Sequence, residues 1–287
     1  MSHAATAAAA TLAALLAGAL ASPAGAGDDA LGRIDFDHDH ARRWKLPRRL
    51  AEVSGLTPAG GGRLFAHEDQ HARVFELDPV RRRVVRSFSL GDPVVRGDFE
   101  GIAFAHGRIH LVTSSGALFV SEVGEDGAHV AYQRYDTRVG GLCREVEGLD
   151  YDPADDILLL ACKRARSGKH VLIHRWSLVT HTSADPALLR IRARKLRKRK
   201  VGSPFRPSAI TRDPRTGHYL VLSSLAHGIA EIAPDGKVEK VRGLSRSEHG
   251  QPEGMAVLED GTLAIADEAR RGRRARLTLH PPKGEHD

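Results

Sequence analysis

The segment Phe99-Glu100-Gly101-Ile102-Ala103 contains a short motif in which an acidic or hydroxyl residue precedes a small residue and then an apolar one. Four further copies of the motif occur along the chain: Ser54-Gly55-Leu56, Glu147-Gly148-Leu149, Ser208-Ala209-Ile210 and Glu253-Gly254-Met255. The first residues of successive copies are 46, 47, 61 and 45 positions apart. Self-similarity at a period of about 40–50 residues is typical of the blades of a β-propeller. The motif therefore predicts five repeated units that begin near residues 54, 100, 147, 208 and 253.

Each copy of the motif is followed by a turn and then by an apolar run. After the second copy, for example, the turn His106-Gly107 precedes the apolar run 109–113. Apolar runs joined by short turns that contain glycine or aspartate predict β-hairpins. A third strand and usually a fourth follow the hairpin, as in residues 72–77 and 84–90 of the first unit.

The predicted units determine the fold class. A sheet of three or four strands cannot bury its own faces, so each unit must stack against copies of itself. Radial stacking does this without long exposed sheet edges, and we therefore predict an all-β fold, a five-bladed β-propeller. The alternative has six blades, with the interval between Glu147 and Ser208 and the residues before Ser54 forming the extra one. Five are favoured because no sixth copy of the motif is present and because residues 33–44 are placed to supply the last strand of the final blade.

The composition agrees with one folded domain. The chain has 287 residues, of which 41% are hydrophobic and 28% are charged, and this balance excludes a disordered protein. Repetitive all-β proteins reach about 250 residues as a single domain, so no second domain is required. Because the apolar content can supply a core, folding does not depend on the two cysteines.

The formal net charge is +7, and much of the excess comes from two local groups of basic residues. The first group alternates with apolar residues at its start, which predicts an outer strand with one face in water. We expect it to be either a solvated edge strand or loop, or a peripheral contact with an anionic lipid or cell-envelope polymer. Nucleic acid is not expected as a partner, because no aromatic residues lie there for bases to stack on. The first group contains Arg190, Arg192, Arg194, Lys195, Arg197, Lys198, Arg199 and Lys200, and the second contains Arg270, Arg271, Arg273, Arg274 and Arg276.

The first 26 residues contain no Asp, Glu, Lys or Arg. They include an apolar stretch over residues 7–21, which is followed by Ser22-Pro23-Ala24-Gly25-Ala26. This pattern predicts a signal peptide cleaved after Ala26, a propeller domain over residues 27–287, and a periplasmic or secreted location. An uncleaved membrane anchor or a disordered alanine-rich tail is the alternative, because the basic residue that normally precedes the apolar stretch is missing.

The repeats also place acidic residues together. In a propeller the first strand of each blade lines the central channel, and in a hairpin its start lies beside the end of the second strand. Carboxylates that meet in a partly dry space either take up protons or bind a cation, and oxygen ligands from separate blades suit calcium better than magnesium. The alternative is that the glutamates accept hydrogen bonds from neighbouring strand-start amides and only fasten the blades together. The candidate calcium ligands are Glu100, Glu147, Glu253, Glu68, Asp69, Asp267 and Glu268.

The two cysteines, Cys143 and Cys162, flank the third predicted hairpin. An oxidising compartment favours a disulfide between them. Regular hairpin register places Cys143 a few residues beyond the partner of Cys162, so a bridge requires the chain before the hairpin to fold back. A disulfide and a pair of buried thiols are both compatible with the sequence.

Eight segments form a more specific pattern: Val53-Ser54-Gly55-Leu56, His67-Glu68-Asp69-Gln70, Asp98-Phe99-Glu100-Gly101-Ile102-Ala103, Glu145-Val146-Glu147-Gly148-Leu149, Leu160-Ala161-Cys162-Lys163, Pro207-Ser208-Ala209-Ile210, Gln251-Pro252-Glu253-Gly254 and Ala266-Asp267-Glu268. Together they resemble the SdiA-regulated family of bacterial extracytoplasmic propellers, from about residue 44 to residue 280. The resemblance implies a five-bladed propeller, a calcium site, distant kinship to NHL-repeat propellers and no established biochemical activity. Neither group of basic residues belongs to the family pattern.

Two functions are compatible with these observations. The first is a noncatalytic calcium-binding protein with a binding or scaffolding role in the cell envelope, and it is favoured because no nucleophile and base can be paired. The second is a metal-dependent hydrolase of the lactonase or esterase type, in which calcium polarises an ester carbonyl and His67 or His249 accepts a proton. In either case we expect a monomer with an unidentified ligand or envelope partner.

Overall fold

The fold is taken from a computed structural model of the chain. The structure describes residues 29–141, 143–166, 168–198, 201–270 and 273–284. The predicted signal peptide, residues 1–26, lies outside the described residues.

The described residues form β-strands with few helical turns. The strands are β1 (Arg42–Lys45), β2 (Val53–Gly60), β3 (Arg63–Glu68), β4 (Arg73–Asp78), β5 (Arg83–Leu90), β6 (Phe99–Ala105), β7 (Arg108–Thr113), β8 (Ala117–Glu122), β9 (His129–Val130), β10 (Tyr132–Asp136), β11 (Cys143–Asp152), β12 (Ile157–Ala165), β13 (His170–Ser177), β14 (Ser183–Arg192), β15 (Ala209–Arg212), β16 (Tyr219–Ser223), β17 (Gly228–Ile232), β18 (Val238–Gly243), β19 (Pro252–Val257), β20 (Leu263–Asp267) and β21 (Arg276–His280).

These strands form five antiparallel blades around a central channel. From the channel outward, the blades are β2-β3-β4-β5, β6-β7-β8-β10, β11-β12-β13-β14, β15-β16-β17-β18 and β19-β20-β21-β1. The short strand β9 pairs in parallel with the outer strand of the first blade. The innermost strands of adjacent blades contact one another around the ring, which confirms the five-bladed propeller predicted from the repeated motif.

The last blade is completed by the beginning of the described chain. Strand β1 pairs with β21 in antiparallel register, from Arg42 opposite Leu279 to Lys45 opposite Arg276. The prediction that residues 33–44 supply a closing strand is therefore confirmed at the end of that range, since the strand is Arg42–Lys45. Its pairing adds a fourth, outermost strand to the last blade and ties the start of the described chain to it, which closes the ring.

The six-bladed alternative is wrong, because the long interval between Glu147 and Ser208 belongs to a single blade. Its four strands have 10, 9, 8 and 10 residues, whereas those of the last blade have 6, 5, 5 and 4. Its outer strand β14 ends at Arg192, so the start of the first basic group lies on an outer strand as predicted.

Helical turns are short. The α-helix α1 (Ala30–Arg33) and three 3₁₀ turns (Arg48–Leu50, Val139–Gly141 and Ala193–Leu196) are present in the described residues. The first two amides of α1, those of Ala30 and Leu31, donate to the buried carboxylate of Glu231 at 2.8 and 3.0 Å and so attach this segment to the fourth blade. Within the described parts of the chain, no helix has the length and apolar character needed to cross a membrane.

The glycine of the repeated motif is required where neighbouring inner strands approach each other. A Cβ atom on Gly101 would lie 2.7 Å from the backbone nitrogen of Leu149, and one on Gly148 would lie 3.0 Å from that of Ile210. Even alanine would fit poorly at Gly101, because real Cβ atoms do not approach backbone atoms so closely, whereas at Gly148 the neighbouring strand would have to move by a few tenths of an ångström. The fourth copy of the motif carries alanine at this position, Ala209. The motif marks the contacts that close the blades around the channel.

Candidate functional site

The strand register brings two layers of side chains to one end of the channel, as predicted. The start of each inner strand lies opposite the end of the second strand of its blade. We call this end, where the inner strands begin, the channel mouth. The pairs that define it are Val53 with Glu68, Phe99 with Thr113, Val146 with Cys162, and Pro252 with Asp267.

A β-bulge lies at the motif in four of the five inner strands. The register shifts between Phe99 and Gly101, for example, so that Glu100 has no partner in the ladder. A bulged residue is unpaired and its side chain is redirected, which explains why an acidic or hydroxyl residue is tolerated there. The same shift leaves Ser54, Glu147 and Glu253 unpaired in their blades. We call the set Ser54, Glu100, Glu147, Ser208 and Glu253 the inner ring.

The inner ring surrounds very little free space. The cavity between the inner strands has a volume of about 10 Å³ and is lined by ring residues that include Ser54, Glu100, Glu147 and Ser208. That is about the room that one water molecule requires. No organic substrate fits between the inner strands.

One lysine lies beside the glutamates of the inner ring. Strand β12 carries Lys163, whose ammonium group donates to a carboxylate oxygen of the buried Glu147. Its charge also acts on the other two ring glutamates, lowering the pKa of each. The ring therefore contains three carboxylates and one built-in cation.

Burial nevertheless raises the pKa of two ring glutamates. The pKa of Glu100 is raised to about 8 by burial and by the nearby charges of Asp98 and Glu253, against the opposing effect of Lys163. Burial raises the pKa of Glu253 to about 7, although Lys163 and a hydrogen bond from Ser224 lower it. Because a carboxyl group with a pKa near 7 exchanges protons at neutral pH, the ring relieves repulsion by protonation as well as by its lysine.

The blades are fastened at the mouth mainly through backbone groups. The amide of Phe99 donates to the carbonyl of Asp69 at 2.7 Å, and the amide of Val146 donates to the carbonyl of Ser114 at 2.9 Å. At these two strand starts the amide donates to a backbone carbonyl of the preceding blade. The alternative considered from the sequence instead had a glutamate side chain accept hydrogen bonds from the strand-start amides. A ring side chain contributes at Ser208, which donates to the carbonyl of Pro252 at 3.1 Å.

A second acidic group lies just outside the inner ring. The donor oxygens of Glu52, Glu68 and Asp69 all lie within 4.8 Å of one another. Glu68 is the last residue of β3, and Glu52 immediately precedes β2, so the pairing of these two strands holds the carboxylates together. We call these three residues the acidic mouth cluster; it is the one such grouping of three potential metal ligands among the described residues.

The acidic mouth cluster is not balanced by its neighbours. Burial, together with the negative charges of Glu52, Glu68 and Glu268, raises the pKa of Asp69 to about 6. Oxygen Oδ1 of Asp69 is buried and has no hydrogen-bond partner within the described residues. The other two carboxylates each have one side-chain contact: His71 Nδ1 lies 2.8 Å from Glu68 Oε1, and the side-chain amide of Gln70 donates to Glu52 at 2.8 Å. A buried oxygen without a partner in an all-carboxylate group is what a hard cation would satisfy.

The structure separates the predicted ligands into three places. Glu100, Glu147 and Glu253 lie in the inner ring, and Glu68 and Asp69 lie in the acidic mouth cluster. Asp267 instead accepts from Nδ1 of the buried His249 at 2.9 Å, and Glu268 accepts from the side-chain amide of Gln251. The charge of Glu268 still reaches Asp69, so it borders the cluster without being one of its three members.

Sequence reasoning missed one residue of the acidic mouth cluster, Glu52. A signal was present, because the position two residues before the first residue of each motif copy is acidic in three of the five copies. These are Glu52, Asp98 and Glu145. Glu52 itself precedes its strand, so strand patterning alone gave no reason to examine it.

The structure joins Cys143 to Cys162 by a disulfide, with Cα atoms 5.7 Å apart. In the ladder Cys162 lies opposite Val146, and Cys143 lies opposite Ala165, as regular register would suggest. Three register shifts between residues 143 and 148 nevertheless bend β11 back toward its partner. Bulges bend the strand that carries them, and this bend supplies the close approach that the register count alone did not predict.

Comparison with known proteins adds the following. A family model described as SdiA-regulated matches residues 44–271 of the chain. The glutaminyl cyclase of Myxococcus xanthus superposes with a TM-score of 0.59 at 17% sequence identity, covering 84% of this chain and 96% of that one. A luciferin-regenerating enzyme superposes with a TM-score of 0.53 at 9% identity, covering 85% and 96%. Such low identities show a shared fold and nothing about activity. No curated protein matches the chain in sequence.

Proposed function

The chain belongs to the SdiA-regulated family of β-propellers, and from that premise we propose that it is an exported calcium-binding protein with a binding or scaffolding role in the cell envelope. The observation that supports this most directly is the acidic mouth cluster. Three carboxylates converge there, and one buried oxygen, Oδ1 of Asp69, has no partner among the described residues.

The donor set fits calcium. Every ligand atom offered by the acidic mouth cluster is a carboxylate oxygen, which excludes a preference for soft or borderline metals. The ligands come from two chain segments around β2 and β3, an arrangement that accommodates the irregular coordination of calcium better than the strict octahedron of magnesium. When bound, the ion would offset most of the negative charge of the three carboxylates and hold the first hairpin in register at the mouth.

The hydrolase alternative receives no support from the two histidines that it requires. His67 is 0% exposed and His249 is 1% exposed, so neither imidazole reaches a substrate at the mouth. Burial lowers the pKa of His67 to about 4, and its ring lies against the inner strand, where Nε2 is 2.5 Å from the position of a Cβ on Gly55. His249 is held between Asp267 and His280. We therefore favour binding over catalysis.

Calcium is expected to raise the stability of the metal-free protein. An ion that binds only the folded state adds RT ln(1 + [L]/Kd), or about 2.7 kcal/mol at a calcium concentration a hundred times Kd. The measurement is the melting temperature of protein passed over a chelating resin, with calcium or magnesium added back. Glu52→Gln and Asp69→Asn should lose the calcium-dependent increase.

Two further variants locate the ion. Glu125→Gln removes an exposed carboxylate far from the mouth and should keep the full effect of calcium. Glu253→Gln removes a ring carboxylate and should also keep it. If Glu253→Gln abolishes the effect while Glu52→Gln does not, the ion binds the inner ring. Identical melting curves with and without calcium would contradict calcium binding at either place.

Export is tested separately. A signal peptide cleaved after Ala26 leaves a mature chain that begins at Gly27. Mass spectrometry of the protein recovered from its native cells should show this new N-terminus in the periplasmic or secreted fraction. Intact Met1 on protein from the soluble cytosol would contradict export.

A further inference from the structure

A large cavity at the mouth end of the last blade is lined mainly by basic side chains. Its volume is about 1110 Å³, which is enough for an organic molecule of moderate size. Its other lining residues are Gly250, Ala269 and the acidic pair Asp267 and Glu268. We call it the arginine cavity; its basic residues are Lys45, Arg246, Arg270, Arg273, Arg274 and Arg276.

The fold gathers these residues from three parts of the chain. Lys45 ends the closing strand β1 and lies directly opposite Arg276, the first residue of β21. Arg246 belongs to the connection between β18 and β19, and Arg270, Arg273 and Arg274 belong to the connection between β20 and β21. Arg271 and Gly272 lie outside the described residues.

Among the described residues, none of the six cations has a carboxylate partner: no carboxylate oxygen lies within 4.0 Å of any of their charged nitrogens. Asp267, which lies opposite Arg276 in the sheet, is instead bound to His249 and to the amide of Gln251. The lining set carries six positive and two negative groups, 6 − 2 = +4.

Local contacts hold two of the guanidinium groups in place. Arg274 donates to the carbonyl of Leu46 at 2.7 Å, and Arg270 donates to the carbonyl of Gly250 at 3.2 Å. Each of these hydrogen bonds uses one nitrogen and leaves the others of the planar group for a ligand. Nitrogen Nε of Arg276 is buried and has no partner among the described residues.

Like charges held together without partners favour a multiply charged anion. Arginine presents paired N–H groups that match the oxygens of phosphate, and several such groups around one cavity suit a ligand with more than one phosphate. A triphosphate-type anion carries about the charge that would neutralise the lining set. We propose that the arginine cavity binds a soluble molecule with adjacent phosphate groups, independently of calcium.

The test uses inorganic tripolyphosphate as the probe and isothermal titration calorimetry of the full mature chain at physiological salt. Metal is first removed on a chelating resin, because EDTA is itself a polyanion and calcium would bind the probe. Saturable binding of one tripolyphosphate per chain is expected. The double variant Arg270→Gln/Arg273→Gln should weaken binding about tenfold or more, since it removes two charge-assisted contacts.

The matched control is Arg194→Gln/Arg197→Gln, which removes the same charge from exposed positions after the outer strand of the third blade. This variant should bind within about twofold of the unchanged protein. Equal weakening in both double variants, absence of binding, or equally tight binding of citrate would each overturn the proposal. Should Arg270→Gln/Arg273→Gln fail to fold, Arg246→Gln, whose side chain makes no hydrogen bond to the described residues, takes its place with the same expectation.

Failure of this proposal and failure of the calcium proposal are distinguishable. The tripolyphosphate titration contains no calcium, and the calcium melts contain no phosphate. Glu52→Gln should leave tripolyphosphate binding intact, and Arg270→Gln/Arg273→Gln should leave the calcium-dependent melting increase intact.

Discussion

Replacing Lys163 with methionine is expected to lower the free energy of unfolding by about 3 kcal/mol, the low end of the range for removing one partner of a buried ion pair. The loss arises because Glu147, whose side chain is 5% exposed, would lose its counter-ion in the inner ring and would have to stay charged without a partner or take up a proton. The low end applies because 36% of the Lys163 side chain is exposed, so water screens part of the interaction. Urea unfolding at neutral pH measures the change.

A second substitution separates the charge from the shape of the side chain. Glu147→Gln added to Lys163→Met removes the unpaired charge and should restore most of the lost stability, which a double-mutant cycle would show as a large coupling energy. The matched control is Lys237→Met, which breaks an ion pair with Glu239 at a position where the lysine is 67% exposed. That change should cost less than about 1 kcal/mol. If Lys163→Met is as stable as the unchanged protein, Lys163 does not stabilise the glutamates of the inner ring.

The Lys163→Met variant also tests whether calcium binds the acidic mouth cluster or the inner ring. If calcium binds only the mouth cluster, its stabilising effect should be the same in Lys163→Met and in the unchanged protein. An effect that grows when Lys163 is removed would indicate that the ring takes up calcium once its own cation is lost. Because the pKa of Glu100 and that of Glu253 are already raised by burial, protonation competes with the ion there.

The fold was predictable because each part of the repeated motif reports a local backbone requirement. The first residue of the motif lies in a bulge, and the glycine that follows lies where two inner strands come into contact. Such requirements recur in four of the five blades whatever the function, so a repeat with period near 46 reveals both the blade count and the location of the mouth. The closing strand was predictable for a related reason, since the last blade lacked a fourth strand after residue 280 and the residues before the first motif copy were left to supply it.

The site was less predictable because side-chain partners depend on tertiary geometry. The sequence placed Lys163 in the layer at the mouth, but its choice of Glu147 depends on the bulge that redirects the glutamate. Glu52 precedes its strand and entered no strand pattern. The arginine cavity forms only when β1 closes the last blade, because that pairing brings Lys45 to Arg276, more than two hundred residues away.

The disulfide is a further feature that the sequence could not predict, here within a single hairpin. Counting along regular strands correctly places Cys143 beyond the partner of Cys162, and on that count the pairing stays undecided. The bend that brings the two Cα atoms to 5.7 Å comes from three successive register shifts, and a bulge leaves no distinct signal in an isolated sequence.

Breaking this cross-link is expected to lower the free energy of unfolding by about 3 kcal/mol. The bridge closes a loop of 19 residues, and the chain-entropy model assigns roughly that value to a loop of this length, because the cross-link restricts the unfolded chain. Both sulfurs lie in the buried core of the third blade, so Cys143→Ala/Cys162→Ala also loses a little packing. The variant should unfold at a lower urea concentration than the oxidised protein.

Reduced wild-type protein is the matched control, because it keeps both sulfur atoms and loses only the bond. Urea unfolding in excess dithiothreitol should therefore reproduce most of the loss, and the small remainder in Cys143→Ala/Cys162→Ala measures the packing contribution. Adding dithiothreitol to the double variant should change nothing. If the oxidised and fully reduced proteins unfold at the same urea concentration, the bond adds no stability, and the bulged approach of β11 to β12 holds the third hairpin without it.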